Sequence, residues 1–162
     1  MKHMYKVLIV DDERLIRLTL QNMLDWKALG CDVVAALKDG NEAYAVFQKV
    51  HPDLIITDLK MPQMNGVELI QKVKEERPST QVIVLSNYSD FELVRDAMKA
   101  GACDYLLKVT LDKQQLEQTI KQRLVHCESA QEKEDNEEAA WLKHVHQSLL
   151  LLKNQEEVGE ED

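Results

Sequence analysis

Strand-length apolar runs alternate with segments of helical periodicity through the first 125 residues of the chain. The runs are rich in Val, Ile and Leu, which is typical of parallel strands buried on both faces. They cover residues 5–10, 33–37, 54–57, 82–85 and 104–107. After each run, apolar residues recur at spacings of three and four, which predicts a helix. We therefore predict an α/β fold: a doubly wound, five-stranded parallel sheet of flavodoxin-like strand order 2-1-3-4-5, with five helices.

Acidic residues are unevenly distributed along the chain. Residues 1–125 carry 18 acidic and 17 basic side chains, whereas residues 126–162 carry 11 acidic and three basic ones. The balanced segment is typical of a globular surface, and the acidic one would repel a nucleic-acid backbone. Apolar residues of the acidic segment follow coiled-coil spacing, at Leu142, Val145, Leu149 and Leu152. We predict a globular domain over 1–125 and an acidic helical tail over 126–162, coiled-coil in pattern and frayed at its end.

Several classes of protein are excluded by the composition. No apolar run approaches the roughly 18 residues that a membrane-spanning helix needs, so we expect no membrane association. The three cysteines, Cys31, Cys103 and Cys127, have no CxxC spacing, which argues against a disulfide framework or a zinc site and favours the cytoplasm. We expect Cys31 and Cys103 to be small buried thiols and Cys127 to be exposed.

Polar side chains follow the predicted strands at the point where each strand ends. Asp11 and Asp12 follow the first strand, Asp58 the third, Ser86 the fourth and Lys108 the fifth. The first and third strands are neighbours in the predicted order, so the three carboxylates converge at a topological switch point, where such sheets bind ligands.

Three converging carboxylates repel one another. Two unit charges 4 Å apart interact by about 4 kcal/mol at an effective dielectric near 20. A hard divalent cation with oxygen ligands and waters, Mg²⁺, relieves this repulsion, and Lys108 adds a fixed positive charge. A phosphoryl group on Asp58 would then be held by Mg²⁺ and Lys108 and would accept a hydrogen bond from Ser86.

These residues resemble the receiver domain of two-component response regulators over about residues 4–125. The resemblance rests on five motifs, at residues 7–13 (VLIVDDE), 52–58 (PDLIITD), 61–66 (MPQMNG), 85–86 (LS) and 104–108 (DYLLK). Finer features resemble the receivers joined to AraC-type helix-turn-helix output domains. They are residues 24–26 (LDW), 29–30 (LG) and 86–91 (SNYSDF).

The resemblance implies a role for each residue of the site. Asp58 is the phosphoacceptor. Mg²⁺ is surrounded by Asp11, Asp12, Asp58 and the main-chain carbonyl of Lys60. Within the acidic pair, Asp12 is the residue expected to bind the ion directly. Ser86 and Tyr105 match the switch hydroxyl and the switch aromatic residue. Such a domain accepts phosphate and loses it slowly rather than acting as an enzyme.

The resemblance also implies partners. The phosphoryl donor is the phosphohistidine of a sensor histidine kinase, and phosphorylation reshapes the surface of the fourth helix, fifth strand and fifth helix. We expect a homodimer through that surface or through the tail. Nothing after residue 125 resembles a helix-turn-helix, so we expect a longer natural protein in which DNA is bound only by an output domain absent from this chain.

Val109 departs from the family pattern, which has Pro after the lysine, commonly with a cis peptide bond. A cis bond before a non-proline residue costs roughly 2.5–4 kcal/mol. We predict a trans bond between Lys108 and Val109. The sequence does not determine the direction in which the Lys108 side chain points.

Two alternatives to a phosphorylated receiver remain. Because of Val109, one is a pseudo-receiver that acts by protein contacts without phosphorylation. The other is an Asp-nucleophile phosphohydrolase of the haloacid-dehalogenase type, which carries Asp-x-Asp after its first strand, whereas Asp11 and Asp12 are adjacent here.

Overall fold

The computed structural model describes residues 4–125 and 127, within which strands and helices alternate along the chain. The strands are β1 (Tyr5–Val10), β2 (Cys31–Leu37), β3 (Leu54–Asp58), β4 (Gln81–Ser86) and β5 (Asp104–Leu107). The helices are α1 (Arg14–Met23), α2 (Gly40–Val50), α3 (Gly66–Glu76), α4 (Phe91–Ala100) and α5 (113–125). Short 3₁₀ turns occupy Tyr88–Asp90, directly before α4, and Lys108–Thr110, directly after β5.

The five strands form one parallel sheet of order β2-β1-β3-β4-β5, so the predicted fold is confirmed. The register sets Val10 beside Thr57, Asp58 beside Leu85 and Ser86 beside Leu107. The carboxyl ends of four strands are therefore level along one edge of the sheet.

Side chains alternate between the two faces of the sheet and build two hydrophobic cores. Leu8, Val10 and Ile55 pack under α2, α3 and α4, which contribute buried residues such as Phe47 and Ile70. The opposite face packs against α1 and α5 through a second set: Val7, Ile9, Leu20, Ile56, Leu116 and Ile120. Burial on both faces explains why the strands are almost wholly apolar.

Helix boundaries agree with the local sequence signals. Asn65 and Glu68 form a capping box at the start of α3, and the Asp112 carboxylate accepts the backbone N–H of Gln115 at the start of α5. Gly101 ends α4 with φ of 118°, because a residue without Cβ adopts the left-handed region freely.

Cys127 is buried, its thiol lying 3.6 Å from the Asp53 carbonyl oxygen, so the expected exposure was wrong. Apart from Cys127, the tail predicted over 126–162, with its coiled-coil pattern, lies outside the described residues. No helix in the described part of the chain is long and apolar enough to span a bilayer.

Candidate functional site

The predicted site residues come together at the carboxyl edge of the sheet. Asp11 follows β1, Asp58 is the last residue of β3, Ser86 is the last of β4, and Lys108 follows β5. All four side chains are largely shielded from solvent, whereas Asp12, next to Asp11, faces outward.

The Lys108 ammonium lies at the centre of three carboxylates. Its Nζ is 3.0 Å from Asp11 Oδ2, 3.1 Å from Asp58 Oδ2 and 3.4 Å from Glu13 Oε1. Only 8% of the Lys108 side chain is exposed, and Asp11 and Asp58 are buried, so solvent screens these two pairs weakly; the Glu13 side chain is 59% exposed and its pair is screened more. The ammonium thus joins the ends of β1, β3 and β5.

Val109 does not redirect Lys108. Val109 lies exposed in the 3₁₀ turn after β5, and no cis peptide bond occurs in the described part of the chain, so the predicted trans bond is confirmed. The lysine reaches the two aspartates with valine in the following position.

Asp58 has a distinct environment for each carboxylate oxygen. Oδ1 accepts the backbone N–H of Leu59 at 2.8 Å, and Oδ2 faces Lys108. Burial, together with the negative charge of Asp11, raises the pKa of Asp58 to about 6, although Lys108 and the Leu59 N–H favour the charged form. The ionised carboxylate therefore predominates at neutral pH.

Burial also shapes the ionisation of the two groups beside Asp58. It raises the pKa of Asp11, against a 2.8 Å hydrogen bond from the Glu13 N–H and the attraction of Lys108. Burial alone would lower the pKa of Lys108, but its contacts with Asp11 and Asp58 outweigh that effect and raise the pKa. Lys108 is therefore charged at every physiological pH.

A group of carboxylates at the end of β1 is suited to a cation. Asp11, Asp12 and Glu13 each offer an oxygen, and these oxygens lie within 4.8 Å of one another. Three carboxylates, those of Asp11, Glu13 and Asp58, face the single Lys108 ammonium, and Asp12 adds a fourth beside Asp11. Hard oxygen donors with excess negative charge fit Mg²⁺. The predicted set of Asp11, Asp12, Asp58 and the Lys60 carbonyl shares Asp11 and Asp12 with this group.

Glu13 is the residue that sequence reasoning missed. It is the third acid of the run from 11 to 13, and that run was the available signal. Its backbone N–H fixes Asp11, while its side chain reaches Lys108.

Ser86 and Tyr105 lie on the other side of the site. Ser86 is fully buried, and its Oγ has no hydrogen-bond partner among the described residues. Tyr105 is 48% exposed, and both residues line a cavity of about 660 Å³ whose other walls include Tyr88, Phe91 and Met98. A buried hydroxyl without a partner is unusual, and a ligand oxygen placed between Ser86 and Asp58 would satisfy it.

A sequence profile of the response regulator receiver domain matches residues 7–121. The chain belongs to this family: it contains the receiver domain of a two-component response regulator, as the motifs predicted. Receiver domains of this class are signalling domains that work with histidine kinases and hold Mg²⁺ at an acidic cluster.

Three proteins illustrate the similarity. The chain is 45% identical over 105 residues to the uncharacterized transcriptional regulatory protein YesN of Bacillus subtilis, covering 65% of this chain and 28% of YesN. It is 37% identical over 149 residues to the transcriptional regulatory protein HptR of Staphylococcus aureus, covering 92% of this chain and 58% of HptR. A two component transcriptional regulator AraC from Clostridium phytofermentans aligns with a TM-score of 0.73 and 35% identity, covering 78% of this chain and 98% of that chain. The chain thus spans less than two thirds of either curated relative.

Proposed function

We propose that this domain accepts a phosphoryl group on Asp58 from the phosphohistidine of a sensor histidine kinase and thereby controls a transcriptional output domain. The observation that carries the proposal is the position of Lys108, whose ammonium is within 3.1 Å of both Asp11 and Asp58 at the sheet edge. A nucleophilic carboxylate, a fixed cation and a group of metal-binding carboxylates are the parts that phosphoryl transfer requires.

In the transfer step an oxygen of Asp58 attacks phosphorus. The bond between phosphorus and the histidine nitrogen breaks, its electron pair stays on the imidazole, and the imidazole takes up a proton. The Lys108 ammonium neutralises the oxygens of the transferred group. Asp11, Asp12, Asp58 and the Lys60 carbonyl would hold Mg²⁺, with Glu13 beside them. When bound, Mg²⁺ supplies additional positive charge to the phosphoryl oxygens.

Ser86 and Tyr105 then convert phosphorylation into a change of surface. The Ser86 hydroxyl donates to a phosphoryl oxygen and gains the partner it lacks. Its movement opens space beside Tyr105, and the half-exposed ring turns inward. The surface of α4, β5 and α5 changes as a result and provides the contact for a second copy or for the output domain.

The direct test is intact mass after incubation with acetyl phosphate and Mg²⁺. We expect a gain of one phosphoryl group (about 80 Da). The gain should be absent from Asp58→Asn and from wild-type protein treated with EDTA, because one lacks the nucleophile and the other lacks the metal.

A gain that persists in Asp58→Asn would place the phosphate elsewhere and contradict the assignment. No gain from acetyl phosphate or from a phosphorylated histidine kinase would favour the pseudo-receiver alternative. Hydrolysis of an added phosphoester with turnover would favour the phosphohydrolase. The geometry supports neither alternative, because the carboxylates, Lys108 and Ser86 of a receiver are all present.

A further inference from the structure

The two loops that border the phosphoacceptor site are joined by an ion pair. Lys60 lies in the loop after β3, two residues beyond Asp58, and Asp90 ends the 3₁₀ turn that precedes α4. The Lys60 Nζ is 3.2 Å from Asp90 Oδ1. The pair is asymmetric: 64% of the lysine side chain is exposed but only 1% of the aspartate side chain.

Asp90 is held in place from its own loop. Its Oδ2 accepts the backbone N–H of Asn87 at 2.9 Å, directly after Ser86. Its Oδ1 is buried and accepts no hydrogen bond of good geometry in the described part of the chain, so its stabilisation comes from the Lys60 charge. A buried carboxylate is costly without a counter-charge, and Lys60 supplies that charge to Asp90.

Lys60 is close along the chain to a second carboxylate, that of Asp58. Two peptide units separate its Cα from that of Asp58 by no more than about 7 Å, and the ammonium is carried on a flexible four-carbon stem. Released from Asp90, it could turn toward Asp11 and Asp58, where Lys108 already lies. A second ammonium there would compete with a divalent cation for the same oxygens.

We propose that Asp90 is a positioning residue that keeps the Lys60 ammonium out of the acidic site and so preserves the affinity of that site for Mg²⁺. The inference rests on the metal-binding part of the proposed function. Asp90 touches neither the carboxylates nor the transferred group and acts only through Lys60.

The test is a double-mutant cycle on the Mg²⁺ dissociation constant, measured by titration calorimetry at pH 7.5 on the full chain. We expect Asp90→Asn to raise the constant by about three- to tenfold over wild type, because the freed ammonium opposes the cation. In a Lys60→Met background, the same Asp90→Asn change should leave the constant within about 1.5-fold, because no ammonium remains to be released. Asp96→Asn removes an equal charge from an exposed position of α4 and serves as the matched control.

Equal weakening by Asp90→Asn in both backgrounds would mean that the Asp90 charge acts directly on the cation, and would overturn the proposal, as would no weakening in either. Asp90→Ser, whose hydroxyl can still accept the Asn87 N–H, replaces Asp90→Asn if that variant does not fold. Wild-type protein that binds no Mg²⁺ would contradict the proposed function itself, a result distinct from failure of the cycle.

Discussion

At the level of single residues, folding buries the negative charge of Asp58 beside that of Asp11, which costs free energy. The pKa of Asp58 rises from 3.8 to about 6 on folding, because burial and Asp11 disfavour its ionised form. The folded state therefore binds a proton more readily than the unfolded chain. By linkage, the contribution of Asp58 to the free energy of unfolding falls as the pH rises from about 4 through 6.

Asp58→Asn should therefore stabilise the metal-free protein at pH 7.5, by about 1–3 kcal/mol, because the amide removes the buried charge. Urea unfolding in EDTA measures the difference. The gain should shrink at pH 5, where wild-type Asp58 is largely protonated in the folded state. Asp96→Asn, at an exposed position, should change the free energy of unfolding far less at either pH. A variant less stable than wild type at pH 7.5 would contradict this account of the site.

At the scale of elements, the start of α3 is pressed against the end of β3, where Asp58 lies. The Gly66 N–H donates to the Leu59 carbonyl at 2.8 Å. A Cβ added at Gly66 would overlap the Asp58 carbonyl oxygen and lie 2.9 Å from Leu59 Cα. Backbone atoms cannot move aside as a flexible side chain can, so this close approach requires glycine.

Gly66→Ala should destabilise the domain by about 1–3 kcal/mol and weaken Mg²⁺ binding, because β3 and the Asp58 backbone must shift. The free energy of unfolding and the Mg²⁺ dissociation constant are the two measurements. Gln71→Ala, on the exposed face of the same helix, is the control and should leave both nearly unchanged. Wild-type values for Gly66→Ala would show that the two elements can separate without cost.

At the scale of the whole molecule, the surface beside Ser86 and Tyr105 is unusually apolar. Phe91 is 72% exposed and Tyr88 69%, and with Met98 they border the same cavity. Exposed apolar side chains that cluster in this way mark interaction surfaces. Their position next to Ser86 and Tyr105, the proposed switch residues, favours a contact that responds to phosphorylation.

Beryllofluoride with Mg²⁺, a mimic of the phosphoryl group, should raise the dimer fraction of the protein, and Phe91→Ala should weaken that dimer by about 1 kcal/mol or more. Sedimentation velocity over a concentration series measures both effects. Leu15→Ala truncates an equally exposed residue on α1 and should leave the dimer constant unchanged. A monomer with and without the mimic would contradict a dimer through this surface.

Most of the fold and the residue types of the site follow from the sequence. Local apolar runs set the positions of the strands, and capping residues such as Asn65 and Gly101 set the helix ends. The acids of the site are recognised because they stand where an apolar run ends. These signals act over a few residues, so they can be read without the tertiary structure. The strand order also follows, because it is shared by the family that the motifs at 7–13 and 52–58 indicate.

Contacts between distant residues were decided only by the tertiary structure. Lys108 contacts Glu13, 95 positions away in the chain, and its side chain points into the site although Val109 follows it. Cys127 is buried against Asp53, 74 positions away. The pairing of Lys60 with Asp90 likewise depends on how two loops approach. Local sequence signals specify which elements form and which chemical groups end the strands. The packing of those elements decided which charges face each other, because electrostatic energy depends on distance and burial in space rather than on separation along the chain.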